Sequence, residues 1–175
     1  RFGFSVSMSS DGAKVIVGVY LEDTGGSNAG KVYIYTYSSG SWGSEVMLQA
    51  SDKQVDDSFG YSVSMSSDGT KVLVGARYED TGGANAGKAY IYTYSSGSWG
   101  SEVMLQASDA QVSDRFGDSV SMSSDGTKVI VGATFEDTGA SDAGSAYIFD
   151  YTPNQIFDSS TQVFTATGTG IVSGS

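Results

Sequence analysis

Eleven residues, Phe2-Gly3-Phe4-Ser5-Val6-Ser7-Met8-Ser9-Ser10-Asp11-Gly12, return nearly unchanged at 59–69 and again at 116–126. The period is 57 residues both times, and 2–58 agrees with 59–115 at 46 of 57 positions. A chain with this pattern is not free to wrap around one irregular core. Each unit must take up the same local structure and bury the same face against a neighbour. The units run 1–58, 59–115 and 116–164. The third departs after about Tyr151, where Pro153 and Ile156-Phe157 stand in place of Ser-Gly-Ser-Trp. Residues 165–175 are rich in Gly, Ser and Thr and read as a linker or the start of a further element.

Each unit reads as four strands. In the first unit, 4–8 alternates apolar residues with Ser and ends at Ser-Ser-Asp-Gly, a hairpin signal in which Gly supplies the positive φ. Residues 14–19 are almost unbroken apolar (Val15-Ile16-Val17), and 31–37 read Lys-Val-Tyr-Ile-Tyr-Thr-Tyr, β-branched and aromatic. A fourth strand is expected from about 42 to 50, with Val46 and Leu48 on one face. A polar Gly-rich loop, 22–30, joins the second strand to the third. No stretch sustains an apolar period of 3.6. A strand with one wet face alternates; the two middle strands are apolar on both faces, so each sheet is covered on both sides. A small four-stranded sheet, repeated and stacked on copies of itself, describes the blades of a β-propeller. An open stack or a β-solenoid is the alternative, though solenoid coils are usually much shorter than 57 residues. The fold class is therefore all-β, with antiparallel four-stranded blades.

Composition removes several functions. The 20 Asp and Glu against 9 Lys and Arg give a net charge of −11. That is the wrong sign for phosphate backbones or anionic lipid surfaces, so no nucleic-acid partner is expected. No apolar run reaches the ~20 residues of a spanning helix, so no membrane insertion is expected. There is no Cys and no His, which removes disulfides, thiolate nucleophiles and the commonest general base.

The residues also carry a resemblance. Phe59-Gly60-x-Ser62-Val63 opening a unit, Asp68-Gly69 in its first turn, Val74-Gly75-Ala76 closing its second strand and Ala86-Gly87-Lys88-x-Tyr90-Ile91-Tyr92 opening its third resemble the FG-GAP repeat. That family builds the seven-bladed propeller of integrin α-subunits and of many microbial and algal surface proteins. The resemblance spans about 2–151. Two features depart from it. The Pro after Gly-Ala is replaced by Arg77 and Thr134, and by Tyr20 after Gly18-Val19. The calcium loop of many integrin-type blades, with Asp at alternate positions, is missing, and 65–71 offers one carboxylate with Lys71 close behind. No cofactor is expected on this pattern; calcium would have to use the other acids.

Those acids recur in register as Glu22-Asp23, Glu79-Asp80 and Glu136-Asp137, with Asp52, Asp56 and Asp57 between units. They either gather calcium or initiate Asp-Thr-Gly turns, and the turn reading is preferred because no Asp-x-Asp-x-Asp-Gly loop is present. A glycosidase needs two carboxyls in different environments, whereas near-identical repeats give the same acids equivalent settings. The tyrosines and Trp42 and Trp99 are expected to pack between blades rather than to stack on sugars.

The repeats differ most just after the second strand: Tyr20-Leu21, Arg77-Tyr78, Thr134-Phe135. Phe4, Tyr61 and Asp118 differ too. By resemblance to integrin propellers, these loops lie on the ligand-facing side. The expected contact surface is therefore Tyr20, Arg77, Tyr78, Thr134 and Phe135, ringed by Glu22, Asp23, Glu79, Asp80, Glu136 and Asp137. Propellers close with four to eight blades, so three blades leave two faces bare. The opening Arg1-Phe2 matches Arg115-Phe116 inside the repeat, which fits a fragment of a longer chain; self-association through the bare faces is the other expectation. The reading is a non-enzymatic structural or adhesion module of a secreted, cell-surface or virion protein, meeting a protein partner. A lectin-like propeller that binds glycan is the alternative. A fragment of a polysaccharide-active enzyme comes after both.

Overall fold

A computed structural model describes residues 1–152 and, for the backbone alone, 162–167 and 171–174. The first unit forms β1 (Ser5–Met8), β2 (Lys14–Val19), β3 (Lys31–Ser38), β4 (Ser41–Trp42) and β5 (Val46–Leu48). The second repeats it as β6 (Phe59–Met65), β7 (Lys71–Ala76), β8 (Lys88–Ser95), β9 (Ser98–Trp99) and β10 (Val103–Leu105). The third has β11 (Phe116–Met122), β12 (Lys128–Ala133), β13 (Ser145–Asp150), β14 (Gln162–Thr167) and β15 (Ile171–Gly174). All pairings within the three sheets are antiparallel. They are blade-like meanders of the β-propeller kind.

The expected fourth strand is two pieces. Ser39 and Gly40 both take positive φ, 52° and 85°, so the chain reverses at once and β4 runs back along β3 for only two residues. Gly43 N–H then bonds Thr36 O at 2.9 Å, and β5 resumes the pairing at Val46. In the third unit β14 and β15 continue the sheet beyond β13. Residues 162–167 and 171–174 thus lie in strands across the part read as the end of the third unit and as a linker or further element.

Two cores fill the spaces between sheets. Ile16, Val32 and Ile34 of the first blade meet Phe59, Val72, Val74 and Tyr90 of the second. Leu73, Ala89 and Ile91 of the second meet Phe116, Val129, Val131 and Tyr147 of the third. Tyr90 and Tyr147 are fully buried, edge-on to Phe59 and Phe116 at 5.3 and 5.4 Å. Burying a Phe of this kind contributes roughly 1.5–3 kcal/mol. The first strand of each later blade approaches the second strand of the blade before it so closely that glycine is required. A Cβ on Gly18 or Gly75 would come well under 3.0 Å from the carbonyl oxygen of Gly60 or Gly117 in the next blade. Ser5 and Ser62 hydroxyls donate to those same carbonyls at 2.8 and 2.7 Å.

Candidate functional site

The end of each second strand, the start of each first strand and the blade-to-blade loop lie together. Tyr78 N–H bonds Asp57 O, and Phe135 N–H bonds Asp114 O, both at 3.3 Å, so the variable dipeptides are tied to the loops that link blades. There the positions that differ between repeats touch one another. Phe4, Tyr20 and Tyr61 form a three-ring cluster with centroids 4.5–5.3 Å apart. The Arg77 guanidinium lies over Tyr61 at 3.7 Å and over Tyr78 at 4.3 Å. Its Nη1 pairs with Asp118 at 3.0 Å, and Asp118 accepts the Thr134 hydroxyl. Arg115 lies 4.0 Å over Phe135 and 5.4 Å from Tyr78.

The result is a continuous stripe of rings and guanidinium groups crossing all three blades, with Phe4 and Thr134 exposed and the other members half-buried. Each cation–ring contact is worth about 0.5–2 kcal/mol, enough to hold long side chains in one arrangement. Tyr20, Arg77, Tyr78, Thr134 and Phe135 all belong to it. Arg115 lies outside the contact surface expected from the sequence, although the signal is there: Ser58 occupies the same place one repeat earlier.

The acids sit differently. Glu79 and Glu136, expected on the contact surface, are fully buried. Glu79 accepts the Thr81 N–H at 2.9 Å and its hydroxyl, and Glu136 holds Thr138 in the same way. Glu22 does so with Thr24. Asp23, Asp80 and Asp137, all exposed, accept the N–H five residues on, from Asn28, Asn85 and Asp142. These Glu-Asp pairs spend their oxygens organising the Thr-Gly loops; Glu79 and Glu136 leave the surface, Glu22 is half-buried, and the Asp of each pair stays exposed.

A cation already occupies the first of these buried positions. Lys88 Nζ bonds Asp52 at 2.8 Å, Glu79 at 3.1 Å and the Thr81 hydroxyl at 3.0 Å. Tyr90 OH donates to the other Asp52 oxygen at 2.9 Å, locking the blade-to-blade loop onto the second sheet. The third unit keeps the tyrosine contact, Tyr147 OH to Asp109 at 2.9 Å. Ser145 stands in place of the lysine and donates to Glu136 at 2.6 Å.

Asp57 is 2% exposed, with one oxygen accepting Gln54 N–H and the other unpartnered among the described residues. Burial pushes its carboxyl up to about 6 against the pull of that hydrogen bond, and the charges of Glu79, Asp52 and Asp80 add to the rise. The folded protein therefore holds this proton more tightly than the unfolded chain does. The contribution is fully present below the ordinary 3.8 and is lost as pH rises to about 6. Asp57→Asn is expected to raise stability at pH 7 by about 2–3 kcal/mol and to flatten the change in unfolding free energy between pH 3.8 and about 6. Urea melts at a series of pH values check this; parallel curves for the two proteins would contradict it. Asp68 and Asp125, held down to about 2 first by the Ser66 and Ser123 hydroxyls, act in the opposite sense. Their contribution disappears only in stronger acid and is common to both proteins.

Among solved structures, one similar fold is Kuenenia stuttgartiensis hydrazine synthase, at 15% identity and a TM-score of 0.45. The match covers 97% of this chain and 47% of that one, so the chain spans about half the length of that structure. No curated protein matches the sequence. The family model of the FG-GAP repeat matches three times, at residues 1–35, 42–92 and 99–149. The glycine-lined approach of Phe59-Gly60 and Phe116-Gly117 to the blade before them is the structural content of the dipeptide in that name. The chain belongs to the FG-GAP repeat family.

Proposed function

We propose that this chain is a non-enzymatic protein-interaction module of an extracellular or particle-surface protein, meeting its partner through the loop face. The observation that carries this is the clustering of variable positions. The repeats also differ in the core, as at Ile16/Leu73 and Val32/Ala89, but those changes exchange one apolar residue for another. The changes that alter chemistry most, Tyr20/Arg77/Thr134, Phe4/Tyr61/Asp118 and Ser58/Arg115, converge on one stripe of rings and arginines on a rigid sheet scaffold, the kind of place where binding residues concentrate. Rings and arginine are also the residue types that dominate contact energies between proteins. Among the described residues no helix is long and apolar enough to cross a membrane. An acidic surface would aid solubility outside the cell.

Beads coated with the chain test this against the surface of the cells or particles that carry it. Wild-type beads are expected to adhere. Beads carrying the double variant Arg77→Ala, Tyr78→Ala are expected to lose at least about ten-fold of that adhesion, the scale of one or two hot-spot side chains. The variant's circular dichroism should match wild type. Equal adhesion by both would remove the stripe from the contact. Adhesion abolished by free oligosaccharide, with the same dependence on the stripe, would favour a glycan over a protein partner.

A further inference from the structure

The two joints between blades share their parts but are not closed alike. At the second joint the Thr93 and Tyr151 hydroxyls meet at 2.8 Å, and Tyr151 and Leu105 lie in one buried core. At the first joint the equivalent hydroxyls, of Thr36 and Tyr94, make no such bond. Lys14 Nζ stands over the Tyr94 ring instead, 4.4 Å from its centre, and bonds Gly69 O at 3.2 Å. Tyr94 and Leu48 are left half-buried where Tyr151 and Leu105 are buried.

A hollow of about 420 Å³ results between the first two sheets, and every residue lining it lies between 14 and 99, inside the first two units. That size is within the range of small-molecule sites. The first blade supplies Ile34, Val46 and Leu48, and the second supplies Tyr94 and Trp99. Trp99 is also packed on the core between the two blades, so its ring is held in place. Hydroxyls reach the hollow only from Thr36, Tyr94 and Ser98. Lys14 is the one charged residue of the lining, and no carboxylate belongs to it. Among the described residues Lys14 makes no ion pair. One of its N–H groups goes to Gly69 O, which leaves two to donate.

We propose that this hollow binds a small ring-bearing organic anion, an aromatic carboxylate, with its ring against Trp99 and Tyr94 and its carboxylate on Lys14 Nζ. Two rings and three aliphatic side chains favour an apolar, planar body. A lone lysine beside them, in a chain of net charge −11, selects one negative end. A neutral sugar is a poorer match, because it brings a hydroxyl on nearly every carbon to walls that are mostly hydrocarbon. Lys14 opens β2 and Tyr20 follows its end, so the hollow and the stripe of rings and arginines lie at opposite ends of the blades. Failure of this site would leave the loop-face reading standing, and the reverse also holds.

Tryptophan emission of the 175-residue chain carrying Trp42→Phe tests this, because Trp99 is then its sole tryptophan. Trp42 is exposed, so its replacement leaves the core intact. The probes are biphenylacetate and its neutral counterpart biphenylethanol. The acid is expected to shift Trp99 emission saturably, with Kd below about 1 mM, and the alcohol to bind roughly ten-fold more weakly. Lys14→Met keeps the stem over Tyr94 and removes the charge. It should bring the acid down to the alcohol's affinity and leave the alcohol unchanged. Val46→Phe, at an exposed position of the lining, narrows the hollow and should weaken both probes at least about ten-fold. An emission that does not respond to the acid would overturn the proposal. So would equal affinity for acid and alcohol, or a Lys14→Met chain that binds the acid as its parent does. If Lys14→Met melts, the Val46→Phe chain decides: undiminished binding there places the probe elsewhere and overturns the site.

Discussion

Gly75→Ala is expected to cost about 3 kcal/mol or more, and in a chain of ordinary stability that leaves little folded protein at 37 °C. The added methyl meets the Gly117 carbonyl of the next blade far inside contact distance, with the Ser62 hydroxyl also in the way. A serine can rotate; a backbone carbonyl fixed in β11 cannot, so two blades would have to separate. Gly75 has no positive φ, so this loss owes nothing to backbone strain. Gly132→Ala is the control. It has the same place in its strand, yet its methyl meets only Ser119, and its cost is expected to stay within about 1 kcal/mol. Urea melts of the two proteins decide it. Equal losses would mean that the crowding is within each blade rather than between blades.

Removing Lys88 is the second large effect. Burial alone would weaken its positive charge, but hydrogen bonds and attraction from Asp52 and Glu79 outweigh that and raise its pKa above the ordinary value. Lys88→Ala leaves the fully buried Glu79 without a cation, an omission that typically costs about 3–5 kcal/mol. Adding Glu79→Gln should recover a large part of the loss, because the uncompensated charge is gone. Lys88→Ser should lose less than Lys88→Ala, following the Ser145–Glu136 bond in the third blade. Denaturation midpoints at pH 7 give the ranking; no recovery in the double variant would show that packing, not charge, dominates at this position.

The strands were readable because their signals are local. Alternation in 4–8, the apolar run in 14–19 and the aromatic run in 31–37 each report on their own backbone, and the 57-residue period supplied the stacking. The fourth strand was read too long because its break depends on how quickly Ser39 and Gly40 turn the chain back. The stripe was partly legible, since its members are the residues that differ between copies. That they touch across blades depends on the distance between sheets, which the sequence does not state. The buried glutamates were misplaced for a related reason. A carboxylate two residues before a threonine looks like a solvated turn residue until Lys88, nine residues on at the start of β8, is seen beside it.

The seam between blades is recognised through a carbonyl oxygen, a serine hydroxyl and a missing side chain. Such a lock does not read which repeat arrives. While the chain is still folding, the opening segment of any unit can enter the notch of any other. With 46 of 57 positions shared between the first two units, little in the side chains corrects a wrong choice. Skipping the middle unit would give a looped-out form with sound joints and a displaced blade. Order along this chain is therefore enforced by the short connections, such as 49–58, that let only neighbours reach each other in time.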